Sequence, residues 1–248
     1  MRALREITWV ELKLFAREPL TVLFVLVLPL IVLYVLNGVF GNQPEPEVYT
    51  GLGAVDFYTP AYVALVVATV GVLSVPVHLA GYREQGVLRR LRASAMPPVT
   101  LIAAHVIIAV VVGMVGAILL TALSAIAYDG ALPHDWPRAL AGFLLITVAV
   151  AALGTFIGIV LPTARAAQGL GVLLFFVFLM LGGAGPPVEV LPDAMATLSD
   201  FIPLTYAGAV LRGPWFGQAW DGGAIAVMSG LLVVSLSLTW WRLRALEP

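Results

Sequence analysis

The sequence contains no cysteine and a single lysine, Lys13. The absence of cysteine excludes disulfides, thiolate metal sites and cysteine nucleophiles from this chain. A P-loop needs a lysine within the glycine-rich pattern GxxxxGK[ST], and no stretch of the sequence has that pattern. This chain therefore cannot form a P-loop of the usual kind.

Charged side chains make up only 11% of the residues, whereas a soluble globular protein has about 25%. Hydrophobic residues account for 61% of the chain, and the mean hydropathy is +1.02. Too few polar side chains remain to cover a surface that faces water on all sides. The composition therefore predicts an integral membrane protein.

Six apolar runs are long enough to cross a membrane, since a helix needs roughly 20 apolar residues to span about 30 Å of hydrocarbon. We therefore predict an all-α polytopic fold with a single transmembrane domain over residues 1–248. The predicted spans are 20–40, 57–80, 99–128, 139–161, 166–183 and 222–241. The first run is too long for the apolar core of a cleaved signal peptide, so we expect it to remain as a membrane anchor.

Two other segments are predicted to be helical without crossing the membrane. In residues 1–18, apolar residues recur at helical spacing among charged neighbours, which predicts an amphipathic helix in the membrane interface. These apolar residues are Leu4, Ile7, Val10 and Leu14. Residues 184–214 are interrupted by glycines and prolines and contain no run long enough to span. We interpret them as an extracellular re-entrant helical segment between spans five and six, with an ordinary surface loop as the alternative.

The basic residues are distributed unevenly between the two sides of this topology. With the N-terminus in the cytoplasm, eleven of the thirteen fall in predicted cytoplasmic segments, and only Arg138 and Arg212 fall outside. Cytoplasmic loops are generally enriched in arginine and lysine. The pattern therefore predicts that both termini are cytoplasmic, together with residues 81–98 between spans two and three.

The sequence shows no cluster of metal ligands and no catalytic motif, so we expect no metal and no catalytic residue. Ser74 and His78 are four residues apart and would share a helix face, so a membrane-embedded hydrolase using this pair is one alternative. However, no G-x-S-x-G motif surrounds Ser74, and a local hydrogen bond at a helix end is the simpler interpretation. A channel or secondary carrier is another alternative, but the span centres hold almost none of the ionisable residues that ion-coupled carriers use.

Two patterns within the spans are each compatible with two interpretations. Gly154 and Gly158 form a GxxxG pattern, which favours close helix packing either within one subunit or between two. A bulky run in the fifth span is adaptable enough to line a path for a lipophilic substrate, although such residues also commonly face lipid or the core. This run contains Phe175, Phe176, Phe178 and Met180.

Three stretches, in this order, resemble the permeases of type 2 ABC exporters, including the daunorubicin-resistance-like group. The first is the N-terminal amphipathic segment that runs into AREPLTVLFVLVLPL. The second is YREQGVLRRLRASAMPPVTLIAAHV, which is similar to the family's ER-x-x-G-x-L-x-x-L-x-x-(S/T)P segment, with Met96-Pro97-Pro98 where members often have Ser-Pro or Thr-Pro. The third is FIPLTYAGAVLRG before the last span.

The resemblance implies a permease subunit of an ATP-driven exporter in a bacterial cytoplasmic membrane. Its cargo would be hydrophobic or amphipathic compounds, as in drug or antibiotic efflux, with a lipid or lipid-linked glycan as the alternative. The implied partners are an ABC-type ATPase subunit, which would bind ATP and magnesium, and a second permease, identical or homologous. Membrane lipid surrounds the complex, and we expect no nucleic acid and no cofactor in this chain.

In this family the loop after span two forms a short cytoplasmic coupling helix that docks on the ATPase. The resemblance therefore implies that residues 81–98 contact the ATPase. Leu88 and Leu91 can share one helix face as an apolar plug, and the charged residues can form charge-assisted hydrogen bonds at its rim. The candidate contacts are Tyr82, Arg83, Glu84, Gln85, Gly86, Leu88, Arg89 and Leu91.

Overall fold

The computed structural model describes residues 2–40, 43, 46–49, 51–87 and 98–244. Every regular element in these ranges is a helix, and they contain no strand, which confirms the all-helical prediction. The α-helices are α1 Arg2–Ala16, α2 Pro19–Val22, α3 Leu28–Phe40, α4 Pro46–Tyr49, α5 Ala54–Thr69, α6 Val75–Glu84, α7 Pro98–Tyr128, α8 Trp136–Val160, α9 Ala164–Leu181, α10 Asp193–Ser199, α11 Pro203–Trp215 and α12 Gly222–Arg244.

Among the described residues, five helices are long and apolar enough to cross a membrane. They are Ala54–Glu84, Thr100–Tyr128, Trp136–Val160, Ala164–Leu181 and Gly222–Arg244. A sixth candidate is the pair α10 and α11, which is bent by 77° and forms either a broken span or a re-entrant loop. The chain is therefore a multi-pass membrane protein. The re-entrant interpretation of residues 184–214 stays a prediction.

The first predicted span, 20–40, is built from α2, a π-helical turn at Leu23–Val27 and α3. A second π-turn, Val70–Ser74, joins α5 to α6. Each π-turn ends two residues before a proline, Pro29 or Pro76. A proline ring clashes with the carbonyl four residues earlier and removes a hydrogen bond, and a widened turn accommodates both changes without breaking the helix.

The continuous helix Ala54–Glu84, formed by α5, the second π-turn and α6, occupies the centre of the protein. Its most apolar window is 89% buried by the rest of the chain, compared with 22–61% for the other four candidate spans. Helices α7, α8, α9 and α11 pack against it, and α12 packs along α8. The other helices are thus arranged around Ala54–Glu84.

The GxxxG pattern of α8 packs against this central helix within the same chain. A Cβ atom added to Gly154 would lie 2.9 Å from the carbonyl carbon of Gly71, and its nearest contact would be the Gly71 carbonyl oxygen. A Cβ atom on Gly158 would lie 2.8 Å from the Cβ atom of Leu79. The structure therefore assigns both glycines to packing inside one subunit.

Helix α1 lies against α7 with one face turned inward. Glu11 and Phe15 are buried on this face, while Val10 and Leu14 of the predicted apolar stripe are exposed, together with Trp9. The exposed apolar side chains are compatible with contact to lipid. The interfacial location of residues 1–18 stays a prediction.

Candidate functional site

Helix α6 continues to Glu84, so the first four residues of the predicted cytoplasmic loop 81–98 form its last turn. The backbone N–H groups of Gln85 and Gly86 donate to the carbonyl oxygens of Gly81 (2.9 Å) and Arg83 (3.1 Å), and Gly86 has a φ of +70°. A residue with positive φ just after the last helical turn is a common helix terminator, and glycine adopts this conformation without strain. Gly86 therefore ends α6 a few residues into the predicted 81–98 loop.

Tyr82, in the last turn of α6, contacts the N-terminal helix. Its hydroxyl donates a hydrogen bond to Oε1 of Glu11 in α1, and Oε2 of Glu11 faces Nε2 of His105 in α7 at 3.7 Å. Glu11 is only 4% exposed. A buried carboxylate is costly unless donors or cations surround it, so this contact ties α1 to both α6 and α7.

Arg83 points in a different direction, toward the end of α8. Its guanidinium donates to the carbonyl oxygen of Ile159 and, at 3.1 Å, to that of Leu161. The last carbonyl groups of a helix have no partner within the helix, and a cation near them is also favoured by the helix dipole. Arg83 therefore caps α8.

Glu84 contacts the beginning of α9. Its Oε2 accepts a hydrogen bond from the backbone N–H of Ala164 at 3.1 Å, next to Thr163, whose hydroxyl accepts from the N–H of Ala166. The first N–H groups of a helix are unpaired donors at the positive end of the helix dipole, and they favour a carboxylate. Glu84 and Thr163 together cap α9.

The sequence predicts Tyr82, Arg83 and Glu84 as direct contacts for an ATPase, and the structure shows that each side chain already contacts another part of this chain. We name this arrangement the loop-base junction, defined by residues 82–84 with Glu11, His105, Ile159, Leu161 and Ala164. The next predicted contact, Gln85, is exposed, and Gly86 is partly buried. Leu88, Arg89 and Leu91 lie outside the described residues.

No local sequence pattern identifies the partners in the loop-base junction. In the sequence, Glu11 looks like any other charged residue of a surface helix, yet the fold buries it. The residues that hydrogen-bond to Tyr82, Arg83 and Glu84 are 71 to 80 positions away in the chain. The sequence offers one indirect signal for this contact. Charged residues are scarce in the chain, and an acidic residue close to apolar helices needs a donor or a cation as its partner.

The structure does not arrange Ser74 and His78 as a nucleophile and its base. Nδ1 of His78 lies 2.8 Å from the carbonyl oxygen of Ser74, so this hydrogen bond involves the main chain and not the serine hydroxyl. Nε2 of His78 faces Glu18 at 3.2 Å. Both ring nitrogens are thereby engaged away from the hydroxyl, in agreement with a local structural role.

The four residues predicted to line a substrate path point in two directions. Phe175 and Phe178 are buried, and the ring of Phe175 packs edge-on against Phe24 with 5.5 Å between the centroids. Phe176 and Met180 are exposed on the outer face of α9. The structure therefore does not bring the four side chains together on one surface.

The buried central helix and the apolar helices around it define an integral membrane protein, with the polar loop-base junction at one end of that helix. The chain belongs to the ABC-2 type transporter family, which matches residues 2–216. It is similar to the protein named "Putative transport permease YvfS" from Bacillus subtilis (strain 168), with 24% identity over 217 residues, 87% of this chain and 85% of the relative.

Family membership confirms the resemblance described above. Members are the membrane components of transporters, and they work with an ABC ATPase subunit. The chain is accordingly a transport component and not a catalytic subunit.

Proposed function

We propose that this chain is the permease subunit of an ATP-driven exporter and that a separate ATPase drives it by docking on residues 81–98. The observation that supports this proposal most strongly is the loop-base junction. Three successive residues at the start of the loop contact α1, the end of α8 and the beginning of α9. A displacement of the docked loop would therefore reach three helices together with α6.

This geometry suggests two roles within the loop. Tyr82 and Arg83 are partly buried and held by intramolecular hydrogen bonds, so their role is to transmit displacement into the permease. Leu88, Arg89 and Leu91 are the residues we propose for direct contact with the ATPase. Apolar side chains flanked by charged ones are suited to a groove on a partner.

In the complete transporter, two permeases, identical or homologous, would assemble with two ATPase subunits that bind ATP and magnesium. Both termini of this chain would be cytoplasmic, in a bacterial cytoplasmic membrane. Hydrophobic or amphipathic compounds, such as drugs or antibiotics, are the proposed cargo. The scarcity of ionisable residues in the apolar helices supports an external energy source, because ion-coupled carriers place such residues within the membrane.

The coupling proposal can be tested by co-purifying the chain with a candidate ATPase and measuring ATP hydrolysis and transport in proteoliposomes. We expect Leu88→Asp to prevent assembly and Glu84→Ala to allow assembly but lower the transport per ATP hydrolysed. Asp200→Ala is the matched control, since Asp200 is an exposed acidic residue predicted on the opposite side. Normal assembly and coupling in both loop variants would show that the loop assignment is wrong.

The proposed orientation can be tested independently because the chain has no cysteine to remove. Gln85→Cys and Gln218→Cys place single thiols at exposed positions on opposite sides of the predicted topology. A membrane-impermeant maleimide should label the Gln218 variant in intact cells and the Gln85 variant only after permeabilisation. The reverse labelling would invert the orientation.

A further inference from the structure

A cavity of about 660 Å³ lies near one end of the helical bundle, between α7, α8 and α11. This volume is within the range of small-molecule sites, about 300–1,000 Å³. Helix α7 contributes one wall, the first two turns of α8 a second, and α11 the floor. Representative lining residues are Ile118 and Ala122 on α7, Trp136 and Phe143 on α8, and Leu211 and Trp215 on α11.

The lining offers almost nothing that would orient a polar ligand. No charged residue lines the cavity, and Thr121 is the sole lining residue with a hydroxyl group among those that the structure describes. The indole N–H of Trp215 already donates to the carbonyl oxygen of Ala131 at 2.8 Å. The chemistry of the cavity therefore selects hydrocarbon.

The mouth of the cavity is fixed by hydrogen bonds between the α7–α8 connection and the end of α11. Besides the indole contact, the backbone N–H groups of His134 and Asp135 donate to the carbonyl oxygens of Trp215 (3.0 Å) and Pro214 (3.1 Å). These bonds join the α7–α8 connection to the end of α11. The cavity is thus a preformed feature of the fold, which lowers the entropic cost of filling it.

The cavity opens sideways and reaches the depth of a single leaflet. Ile118, Leu140 and Trp136 line it and are also exposed on the surface of candidate spanning helices, so its entrance faces the bilayer. From Trp136 to Phe143 the lining extends seven residues along α8, about 10 Å at 1.5 Å per residue. Half of the hydrocarbon core measures about 15 Å. Tryptophans at the mouth suit the level of the headgroups.

The volume distinguishes a lipid chain from a neighbouring helix. With about 30 Å³ for each group the size of a water molecule, 660 Å³ holds roughly 20 carbon atoms, the size of one acyl chain. A helix about 10 Å wide that rises 1.5 Å per residue would fit only about six residues into the same space. A spanning helix of a second subunit needs roughly 20 residues and would leave most of its length outside.

We propose that this cavity is a binding site for one acyl chain of a phospholipid from the leaflet that surrounds the α7–α8 connection. The chain lies between the rings of Trp136 and Phe143 and the face of α7, and it packs against Trp215. Lipid seated here fills the space between α11 and the spanning helices, so it stabilises the position of α11. This site is independent of the proposed contact with an ATPase at residues 81–98.

Fluorescence quenching by a phospholipid with brominated acyl chains tests the proposal on the full chain. A variant that retains Trp215 and carries phenylalanine at the other five tryptophans is reconstituted in brominated and in unmodified phosphatidylcholine. Trp215 is 4% exposed, so lipid on the outer surface scarcely touches its ring. We expect a severalfold loss of Trp215 emission in the brominated lipid, similar to that of a variant retaining the exposed Trp241.

Two alanine positions provide the filled variant and its control. Ala122→Phe places a ring in the cavity, and Ala226→Phe places the same ring on an exposed face of α12. We expect the first substitution to abolish the quenching of Trp215 and the second to leave it unchanged. Equal quenching in both variants, or no quenching in the parent, would overturn the proposal. A second protein copy covering the cavity would also leave Trp215 unquenched and would count against it.

A measurement without tryptophan substitutions gives a second criterion. After detergent delipidation, native mass spectrometry of the unsubstituted chain should show one retained phospholipid, and the Ala122→Phe variant should lose it. Absence of retained lipid in the unsubstituted chain would contradict the proposed site, whatever the fluorescence of the single-tryptophan variants.

Discussion

Gly154→Ala is expected to destabilise the protein because α8 approaches the central helix backbone to backbone at this position. The added Cβ atom would meet the carbonyl group of Gly71, with the carbonyl carbon 2.9 Å away and the oxygen closer still. A main-chain carbonyl cannot rotate aside as a side chain can, so the two helices must move apart. The opposite face is equally tight, since a Cβ atom on Gly71 would lie 2.8 Å from the carbonyl carbon of Val150.

The magnitude follows from two opposing contributions. Overpacking a close interface costs about 1–3 kcal/mol and occasionally more, and a clash with main-chain atoms belongs at the upper end. Alanine is intrinsically better than glycine inside a helix by about 1 kcal/mol, which offsets part of the cost. We therefore expect Gly154→Ala to lower the free energy of unfolding by about 2 kcal/mol, since the first contribution exceeds the second.

Thermal unfolding in mild detergent measures this effect. For a chain of this size, about 2 kcal/mol corresponds to a decrease of roughly 4–8 °C in the unfolding midpoint. Gly230→Ala is the matched control, because Gly230 is an exposed glycine within α12 with no atom within 4 Å of an added Cβ. Its midpoint should stay the same or rise slightly. If the two variants unfold at the same temperature, the close approach of α8 to Gly71 is wrong.

Three further predictions each remove one hydrogen-bonding side chain, and all are followed in the same thermal assay. Tyr82→Phe removes the donor to the buried Glu11 carboxylate and should lower the free energy of unfolding by about 1–3 kcal/mol. In the assembled complex it should also lower the transport per ATP hydrolysed. Unchanged values of both would refute the contact. Arg83→Met removes the cap of α8. Because Arg83 is partly exposed, the substitution should lower the free energy of unfolding by at most about 1 kcal/mol. Thr59→Val removes the buried hydroxyl 2.7 Å from that of Ser124 and should cost about 1–2 kcal/mol, whereas Thr59→Ser should not.

The membrane class and the helical fold could be predicted from composition and the length of apolar runs. Charges and unpaired backbone groups are costly in hydrocarbon, and this cost can be evaluated for each segment on its own. The identity of the central helix could not be predicted in this way. Ala54–Glu84 has a mean hydropathy of 2.2, lower than that of Thr100–Tyr128 or Trp136–Val160, yet it is the most buried. Burial depends on which helices pack together, and local hydropathy does not encode that choice.

The sequence singled out the residues of the candidate site but not their contacts within the chain, and their contact with an ATPase stays a prediction. The resemblance pointed to Tyr82, Arg83 and Glu84, and the structure shows that all three side chains make specific contacts. Their partners are distant in sequence, and three of them are main-chain groups at helix ends, which almost any residue type would supply. A pattern of residue types therefore identifies the donors and acceptors on α6 but not the helix that each one binds.

The π-turn at Val70–Ser74 determines which side of α6 faces each neighbour. A π-turn contains one more residue than an α-turn, and each residue of an α-helix advances the side chains by about 100° around the axis. If this turn were α-helical, every later side chain of α6 would point about 100° away from its present direction, and Tyr82 would no longer face Glu11. The π-turn that accommodates Pro76 therefore sets the direction of Tyr82 toward Glu11. It does so from two turns earlier in the helix, inside the apolar region.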